Sequence, residues 1–204
     1  MRTRTLQILG LLLTLMALGA CRGAVPPVSF YTLSSLPVTG NTEQTIPANA
    51  LAVGVGPLTI PRMIDRPNIV TRTAQGELHI DEFHRWAGTL ESTVLGTLTQ
   101  NITRQLGSDH VVAYPWTNFI APDYRVPIDI MRLDGELGGV VTLEATWGVT
   151  PSGQRRAAVV RKTEIHEQST GASYADLVAA HNRALEKLAN MIATEIDTLR
   201  ATGQ

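Results

Sequence analysis

Residues 141–149 read Val-Thr-Leu-Glu-Ala-Thr-Trp-Gly-Val, with an apolar side chain at every second position. Because successive side chains of a strand point to opposite faces of a sheet, this period of two predicts a strand with one buried and one wet face. Residues 126–130 and 159–165 follow the same period. Asp134-Gly135 and Pro151-Ser152-Gly153 are typical turn sequences between these segments. We therefore expect an antiparallel meander.

Two amphipathic stretches precede and follow this meander. In residues 81–106 apolar side chains recur about every four positions, with Asp81 as the predicted N-cap and Gly107 as the C-terminal stop. Residues 173–200 carry a longer apolar stripe, and Ser173 begins a capping box. Two long helices packed on one face of a mainly antiparallel sheet form an α+β two-layer sandwich, which is the fold class that we predict.

Shorter strands are predicted from residues with high β-propensity. Residues 51–55 and 68–73 are such runs, and residues 77–81 follow a turn signal that makes them the hairpin partner of the second run. Pro57 is expected to end the first of these strands, because proline lacks the N–H that pairing needs. Residues 110–114 predict a further strand between the first helix and the meander.

The first 20 residues have the order of a secretory signal peptide. Arg2 and Arg4 supply positive charge, residues 6–18 are mostly apolar, and small residues precede Cys21. A spanning helix needs about 20 apolar residues, so this stretch is too short to cross a bilayer. Cys21 is the single cysteine of the chain and cannot form an internal disulfide. We expect residues 1–20 to be a signal peptide and Cys21 to be the lipidated residue of a bacterial lipoprotein.

The sequence after Cys21 bears on where the protein is anchored. Arg22 stands at the position where, in many enveloped bacteria, an aspartate retains a lipoprotein in the inner membrane. We therefore expect a lipid anchor on the periplasmic face of the outer membrane. Residues 21–49 are rich in helix-breaking residues and predict a tether, with a candidate edge strand at residues 29–33. Residues 50–204 would form a single α+β periplasmic domain.

The charge of the chain argues against nucleic acid as a partner. Without the signal peptide, 15 of the 17 basic side chains remain against all 18 acidic ones. Binding to nucleic acid requires a concentration of lysine and arginine, and no basic block is present in the sequence. We expect attachment to the membrane through the lipid anchor and no nucleic-acid partner.

No motif in the sequence predicts catalysis or a resident metal. The five histidines, at positions 79, 84, 110, 166 and 181, lack metal-ligand spacing. His181 falls on the apolar stripe of the second helix and predicts a hydrogen-bonded core residue. Gly54-Val55-Gly56 lacks the third glycine of a dinucleotide-binding loop. We therefore predict a non-enzymatic protein with no catalytic residues, no cofactor and no metal.

Scattered carboxylates leave one enzymatic alternative open. An envelope hydrolase would need two of them in one cleft, at least one with a strongly shifted pKa. The carboxylates concerned are Asp65, Asp81, Glu82, Asp123, Asp129 and Asp134. Sequence spacing gives no reason to pair any two of them, and turns and helix caps are the simpler interpretation.

Aromatic side chains are concentrated in residues 114–125. Tyr114, Trp116, Phe119 and Tyr124 are four of the ten aromatic residues of the chain. Aromatic-rich loops often form contact surfaces, although they also pack over the open end of a core. We take these four residues as candidates for binding a protein partner.

Six short motifs follow one another behind the lipidation site. They are Phe30-Tyr31-Thr32-Leu33; Gly54-Val55-Gly56-Pro57-Leu58-Thr59-Ile60-Pro61; Asp65-Arg66-Pro67 with Ile69-Val70-Thr71-Arg72; Asp81-Glu82-Phe83-His84-Arg85-Trp86-Ala87; Tyr114-Pro115-Trp116; and Asp123-Tyr124-Arg125-Val126. In this order they resemble the auxiliary lipoproteins of ABC-type and MCE transport systems, of the type of paraquat-inducible protein C. Gly88 departs from the resemblance, which leads us to expect an acidic residue there.

The resemblance extends over residues 21–200 and implies a function. Members of this family are periplasm-facing lipoproteins that accompany an inner-membrane MCE-domain protein, and together they are thought to move lipids between the membranes and protect the envelope. The resemblance implies an MCE-domain partner and a homo-oligomer, for which a ring docked on an MCE tube is a natural arrangement. It carries over no residue other than the lipidated Cys21. A stand-alone structural envelope lipoprotein is the alternative that the sequence does not separate from this role.

Overall fold

The computed structural model describes residues 26–34, 51–73, 75–116 and 121–203. Their elements are β1 (Ser29–Tyr31), β2 (Val53–Thr59), β3 (Asn68–Arg72), β4 (Leu78–Trp86), α1 (Leu90–Leu106), β5 (Val111–Ala113), β6 (Tyr124–Gly135), β7 (Val140–Pro151), β8 (Val159–Gln168) and α2 (Tyr174–Thr202). Neither of these two helices is both long and apolar enough to cross a membrane. The predicted signal peptide, Cys21 and most of the predicted tether lie outside the described residues.

A five-stranded sheet with the strand order β5-β2-β6-β7-β8 forms the centre of the fold. The meander is confirmed, because β6, β7 and β8 pair antiparallel in sequence order. The prediction of a mainly antiparallel sheet is wrong, since β2 pairs in parallel with both β5 and β6. Parallel neighbours need a long crossover, and the chain between β2 and β5 supplies it with two strands and α1. The fold remains α+β, but its sheets are mixed.

A second sheet has three strands in the order β1-β4-β3. β3 and β4 form the predicted hairpin, and β1 lies parallel to β4 at the sheet edge. The prediction that the first helix begins at Asp81 is wrong: β4 continues to Trp86, and α1 begins at Leu90 with Thr89 as its N-cap. The carboxylate of Asp81 accepts from the backbone N–H groups of Phe83 and His84 at 2.7 Å each. A helix N-cap makes the same contacts with the amides that follow it. Here they stabilise an irregularity in a strand.

Pro57 does not end β2, contrary to the sequence prediction. The strand continues to Thr59, and its register against β6 shifts between Val55 and Leu58. A proline is tolerated at such an irregularity because no ladder N–H is required of it there. The glycine before it, Gly56, has a φ of +110°, which an L side chain rarely adopts.

Both helices pack against the five-stranded sheet and against each other, as predicted for one helical layer. The predicted C-terminal end of α1 and the predicted start of α2 are confirmed. Gly107 ends α1 in the left-handed conformation, with a φ of 58°, and Ser173 and Asp176 form the capping box of α2. His181 is 2% exposed, and its Nδ1 atom lies 2.8 Å from the Leu177 carbonyl oxygen. The prediction of a hydrogen-bonded core histidine is therefore confirmed.

Candidate functional site

The four predicted partner-binding aromatics occupy different environments. Tyr124 is 7% exposed and belongs to the core at the start of β6, whereas Tyr114 is 48% exposed. Trp116 is half-buried, and its ring meets that of Tyr114 edge to face, with centroids 5.2 Å apart. Phe119 lies outside the described residues. The structure thus brings together two of the four, with Tyr114 as the member open to solvent.

Two glycines of β2 make room for this aromatic pair. A Cβ atom on Gly54 would lie 2.8 Å from the ring of Trp116, and one on Gly56 would lie 2.7 Å from Cβ of Tyr114. Real Cβ atoms do not approach so closely, so any larger residue would displace the rings. The same Cβ atom on Gly54 would lie 2.9 Å from Cγ of Pro122. We call Gly54, Gly56, Tyr114, Trp116 and Pro122 the aromatic corner. The Gly-Val-Gly sequence therefore has a packing role. This role is visible only in the structure, where the motif of β2 lies against the Tyr-Pro-Trp motif.

A polar and aromatic cluster joins the three-stranded sheet to α2. The carboxylate of Asp81 lies 2.9 Å from Nδ1 of His84 and accepts from the hydroxyl of Tyr174 at 3.1 Å. The His84 ring stacks on Tyr174 with centroids 3.9 Å apart, and the Tyr31 ring lies 5.8 Å from that of His84. We call Tyr31, Asp81, His84 and Tyr174 the Asp81 cluster. It connects residues of β1, β4 and α2, of which Tyr174 falls in none of the sequence motifs.

The hydrogen bonds of this cluster fix the charge of Asp81. Burial by itself would raise the pKa of Asp81, but the bonds from His84, from two backbone amides and from Tyr174 lower it to about 2. Burial and the nearby carboxylate raise the pKa of Tyr174 to about 12. Asp81 is therefore held ionised, whereas a general acid needs a raised pKa. Asp81 and His84 both lie on β4, and it is their contacts with Tyr174 that join β4 to α2.

The two sheets are joined by a buried carboxylate between two arginines. Asp134 is 1% exposed and accepts hydrogen bonds from Arg72 of β3 and from Arg132 of β6. Burial opposes ionisation of Asp134, but the two guanidinium groups outweigh it and lower the pKa of this carboxyl. Arg72 ends the Ile-Val-Thr-Arg motif, so this motif is explained by a contact between sheets.

Two further carboxylates named in the hydrolase alternative, Asp123 and Asp129, have separate partners. Asp123 accepts from the backbone N–H of Ala52 at 2.9 Å, and Asp129 accepts from the hydroxyl of Thr59. No group of three metal-ligating side chains comes together within the four described ranges. These contacts, and those of Asp81 and Asp134, give four of the six carboxylates a place in packing or strand pairing.

Two other motifs converge on a pocket of about 290 Å³. Residues 65–67 line it from the loop before β3, and residues 86–89 line it from the segment between β4 and α1. Trp86, 5% exposed, contributes apolar surface. The Nε atom of Arg66 is buried and has no hydrogen-bond partner in the described part of the chain. Gly88, the position at which the chain departs from the resemblance, leaves one wall of this pocket without a side chain.

Comparison with known proteins identifies the family of the chain. The model of the family described as ABC-type transport auxiliary lipoprotein component matches residues 31–193. No curated protein matches. Among solved structures, a Xanthomonas campestris protein of domain family DUF330 has 21% identity, 87% coverage of this chain, 100% coverage of its own and a TM-score of 0.65. An uncharacterized protein has 18% identity, coverages of 84% and 99% and a TM-score of 0.68.

These two solved structures are similar to this chain in fold, and the family model assigns the chain to a family. It covers all elements from the end of β1 to most of α2, and it includes the aromatic corner, the Asp81 cluster and the Arg66 pocket. Its description as an auxiliary lipoprotein component implies a membrane-anchored envelope protein with an accessory part in transport. The chain belongs to the family of ABC-type transport auxiliary lipoprotein components.

Proposed function

We propose that this protein is a non-enzymatic accessory subunit of an MCE/ABC-type system that moves lipids between the two membranes, and that it contributes to envelope integrity. The observation that carries the proposal is the match of the transport auxiliary lipoprotein family over residues 31–193. Membership supports association with a transporter. The ordered motifs extend that support to a partner with an MCE domain in the inner membrane.

The proposed anchor is Cys21, exposed as the first residue when the signal peptide of residues 1–20 is removed. Several acyl chains on one residue give stable attachment, because each buried methylene contributes about 0.8 kcal/mol. Arg22 favours the outer membrane, with residues 50–204 as a single domain in the periplasm. The described N-terminal strand begins at Ser29, so the anchor and the fold are separated by a short length of chain.

The proposed docking surface for the partner is the aromatic corner. Tyr114 is 48% exposed, and Trp116 supports its ring from the side. Rigid, partly exposed aromatic side chains contribute much of the binding energy in protein interfaces. We further propose that the protein acts as a homo-oligomer, so that several copies of this corner would face one MCE assembly.

Crosslinking in living cells followed by purification through a C-terminal tag tests this function. The expected result is an MCE-domain protein among the crosslinked partners, together with further copies of the chain itself. Recovery of the chain alone would contradict the accessory role and would favour a stand-alone structural envelope lipoprotein. A matched strain carrying the untagged protein controls for non-specific recovery.

A further inference from the structure

The three-stranded sheet has an inner and an outer face, which β1 distinguishes clearly. Tyr31 faces inward, since its ring lies 6.3 Å from that of Tyr174 on α2. Successive strand residues point to opposite faces, so Phe30 points outward, as does Val28 two residues before it. Phe30 is 66% exposed and Val28 is 42% exposed. Two large apolar side chains thus lie on the outer surface of an edge strand.

A cationic side chain lies on the same outer face. Arg85 of β4 is the register partner of Phe30, and paired residues of adjacent strands share a face. The neighbouring His84 stacks on Tyr174 and faces inward, which agrees with an outward Arg85. The Nε atom of Arg85 donates to the Glu82 carbonyl oxygen at 3.1 Å, which holds the guanidinium at the sheet surface. We call Val28, Phe30 and Arg85 the β1 outer face.

The short length of chain between Cys21 and β1 limits how far the β1 outer face can lie from the membrane. Ser29 lies eight positions after Cys21, and a fully extended chain spans at most about 3.6 Å per residue. In any conformation, β1 therefore lies within roughly 29 Å of the residue that carries the acyl chains. A bilayer with its headgroups is about 40–45 Å thick, so this distance is smaller than the membrane itself. The first described strand thus lies within reach of the membrane surface.

We propose that the β1 outer face contacts the lipid surface of the membrane in which Cys21 is anchored. This inference rests on the lipidation of Cys21 in the proposed function. Phe30 and Val28 enter the boundary between headgroups and acyl chains, and Arg85 meets the lipid phosphates. The contact fixes the orientation of the domain, because the anchor supplies one point of attachment and the β1 outer face supplies a second.

Fluorescence quenching in liposomes tests the contact with the full lipidated protein. A bimane probe is placed at Phe30→Cys and, as a matched control, at Val160→Cys. Val160 is 62% exposed and lies on β8, at an edge of the other sheet. Cys21 is blocked by its acyl chains, so each variant carries a single free thiol. The liposomes contain phosphatidylethanolamine and phosphatidylglycerol with brominated acyl chains as the quencher.

The expected result is quenching at position 30 at least about twofold stronger than at position 160, because a contact face enters about 5–10 Å into the boundary region. Equal quenching at the two positions, or none at position 30, would overturn the proposal. Co-flotation with the liposomes and the mass of the N-terminal peptide report the anchor separately. An acylated, floating protein without quenching overturns the contact alone, whereas a protein without acyl chains overturns the anchor of the proposed function.

Discussion

Arg72 of β3 binds both carboxylate oxygens of Asp134 at the end of β6, with its Nε atom 3.0 and 2.9 Å from the two oxygens and its Nη2 atom 2.8 Å from one of them. Bidentate pairs of this kind are among the stronger hydrogen-bonded contacts in proteins. Asp134 is 1% exposed, so its carboxylate is shielded from water where the two sheets meet. This contact therefore joins the three-stranded sheet to the five-stranded sheet.

Replacing Arg72 with methionine is expected to lower the free energy of unfolding by about 3 kcal/mol, because it leaves a buried carboxylate with one cation instead of two. Urea denaturation measures the change. Arg161→Met is the matched control: Arg161 pairs with Glu195 at 3.2 Å but is 54% exposed, so its loss is expected to cost less than about 1 kcal/mol. Equal costs for the two substitutions would show that the Arg72 pair does not join the sheets.

The Asp81 cluster predicts a pH dependence of stability. The pKa of Asp81 is lowered from 3.8 to about 2 in the folded state, so its contribution is fully present above about pH 4 and is lost as the pH falls toward 2. This contribution is on the order of 2 kcal/mol. The measurement compares the free energy of unfolding of the wild type and of Asp81→Asn between about pH 5 and pH 2. We expect the advantage of the wild type to shrink over this range, whereas parallel curves would contradict the ionic role of Asp81.

The aromatic corner predicts that Gly54 cannot be enlarged. Gly54→Ala places a Cβ atom 2.8 Å from the Trp116 ring and is expected to destabilise the fold by about 1–3 kcal/mol. Gly96→Ala is the control, because a Cβ there meets no atom within 4 Å and lies in α1, where alanine is favoured by about 1 kcal/mol. Thermal unfolding distinguishes the two. A Gly54→Ala protein as stable as the wild type would contradict the close packing of the corner.

The pocket beside Arg66 predicts a stabilising substitution. A Cβ atom at Gly88 would meet nothing closer than 3.7 Å, and Gly88 does not have a positive φ, so a side chain fits there. Gly88→Glu is expected to raise the free energy of unfolding by about 1 kcal/mol through a bond to the unpartnered Nε of Arg66. Gly88→Gln separates the effect of charge from that of size, and Arg66→Met should abolish the gain. A gain that survives Arg66→Met would contradict this interpretation.

Local patterns predicted the elements whose stabilising contacts are local. The period-two segments became β6, β7 and β8 because each buries one face against the helices, and Ser173 with Asp176 marked the start of α2 through contacts three residues apart. Asp81 was misassigned because its carboxylate accepts from nearby amides in a strand as it would at a helix start. The local sequence alone does not distinguish these two uses of the same side chain.

Contacts between distant segments were beyond the reach of the sequence pattern. β2 pairs in parallel with β5, although two strands and a helix separate them along the chain. The fit of Trp116 against Gly54 and the pair of Arg72 with Asp134 likewise join residues about 60 positions apart. Neither composition nor periodicity specifies such partners, although Gly54, Arg72 and Trp116 all fall in the ordered motifs.

Photo-crosslinking from position 114 in living cells tests the central claim most directly. A photoreactive amino acid replaces Tyr114, which is 48% exposed at the aromatic corner, and Val160, which is 62% exposed, serves as the control position. Adducts are purified through a C-terminal tag and identified by mass spectrometry. The account predicts an MCE-domain protein crosslinked from position 114 and absent from position 160. Adducts containing no MCE-domain protein at either position, with the chain recovering only itself, would contradict the proposed role as a transport accessory subunit.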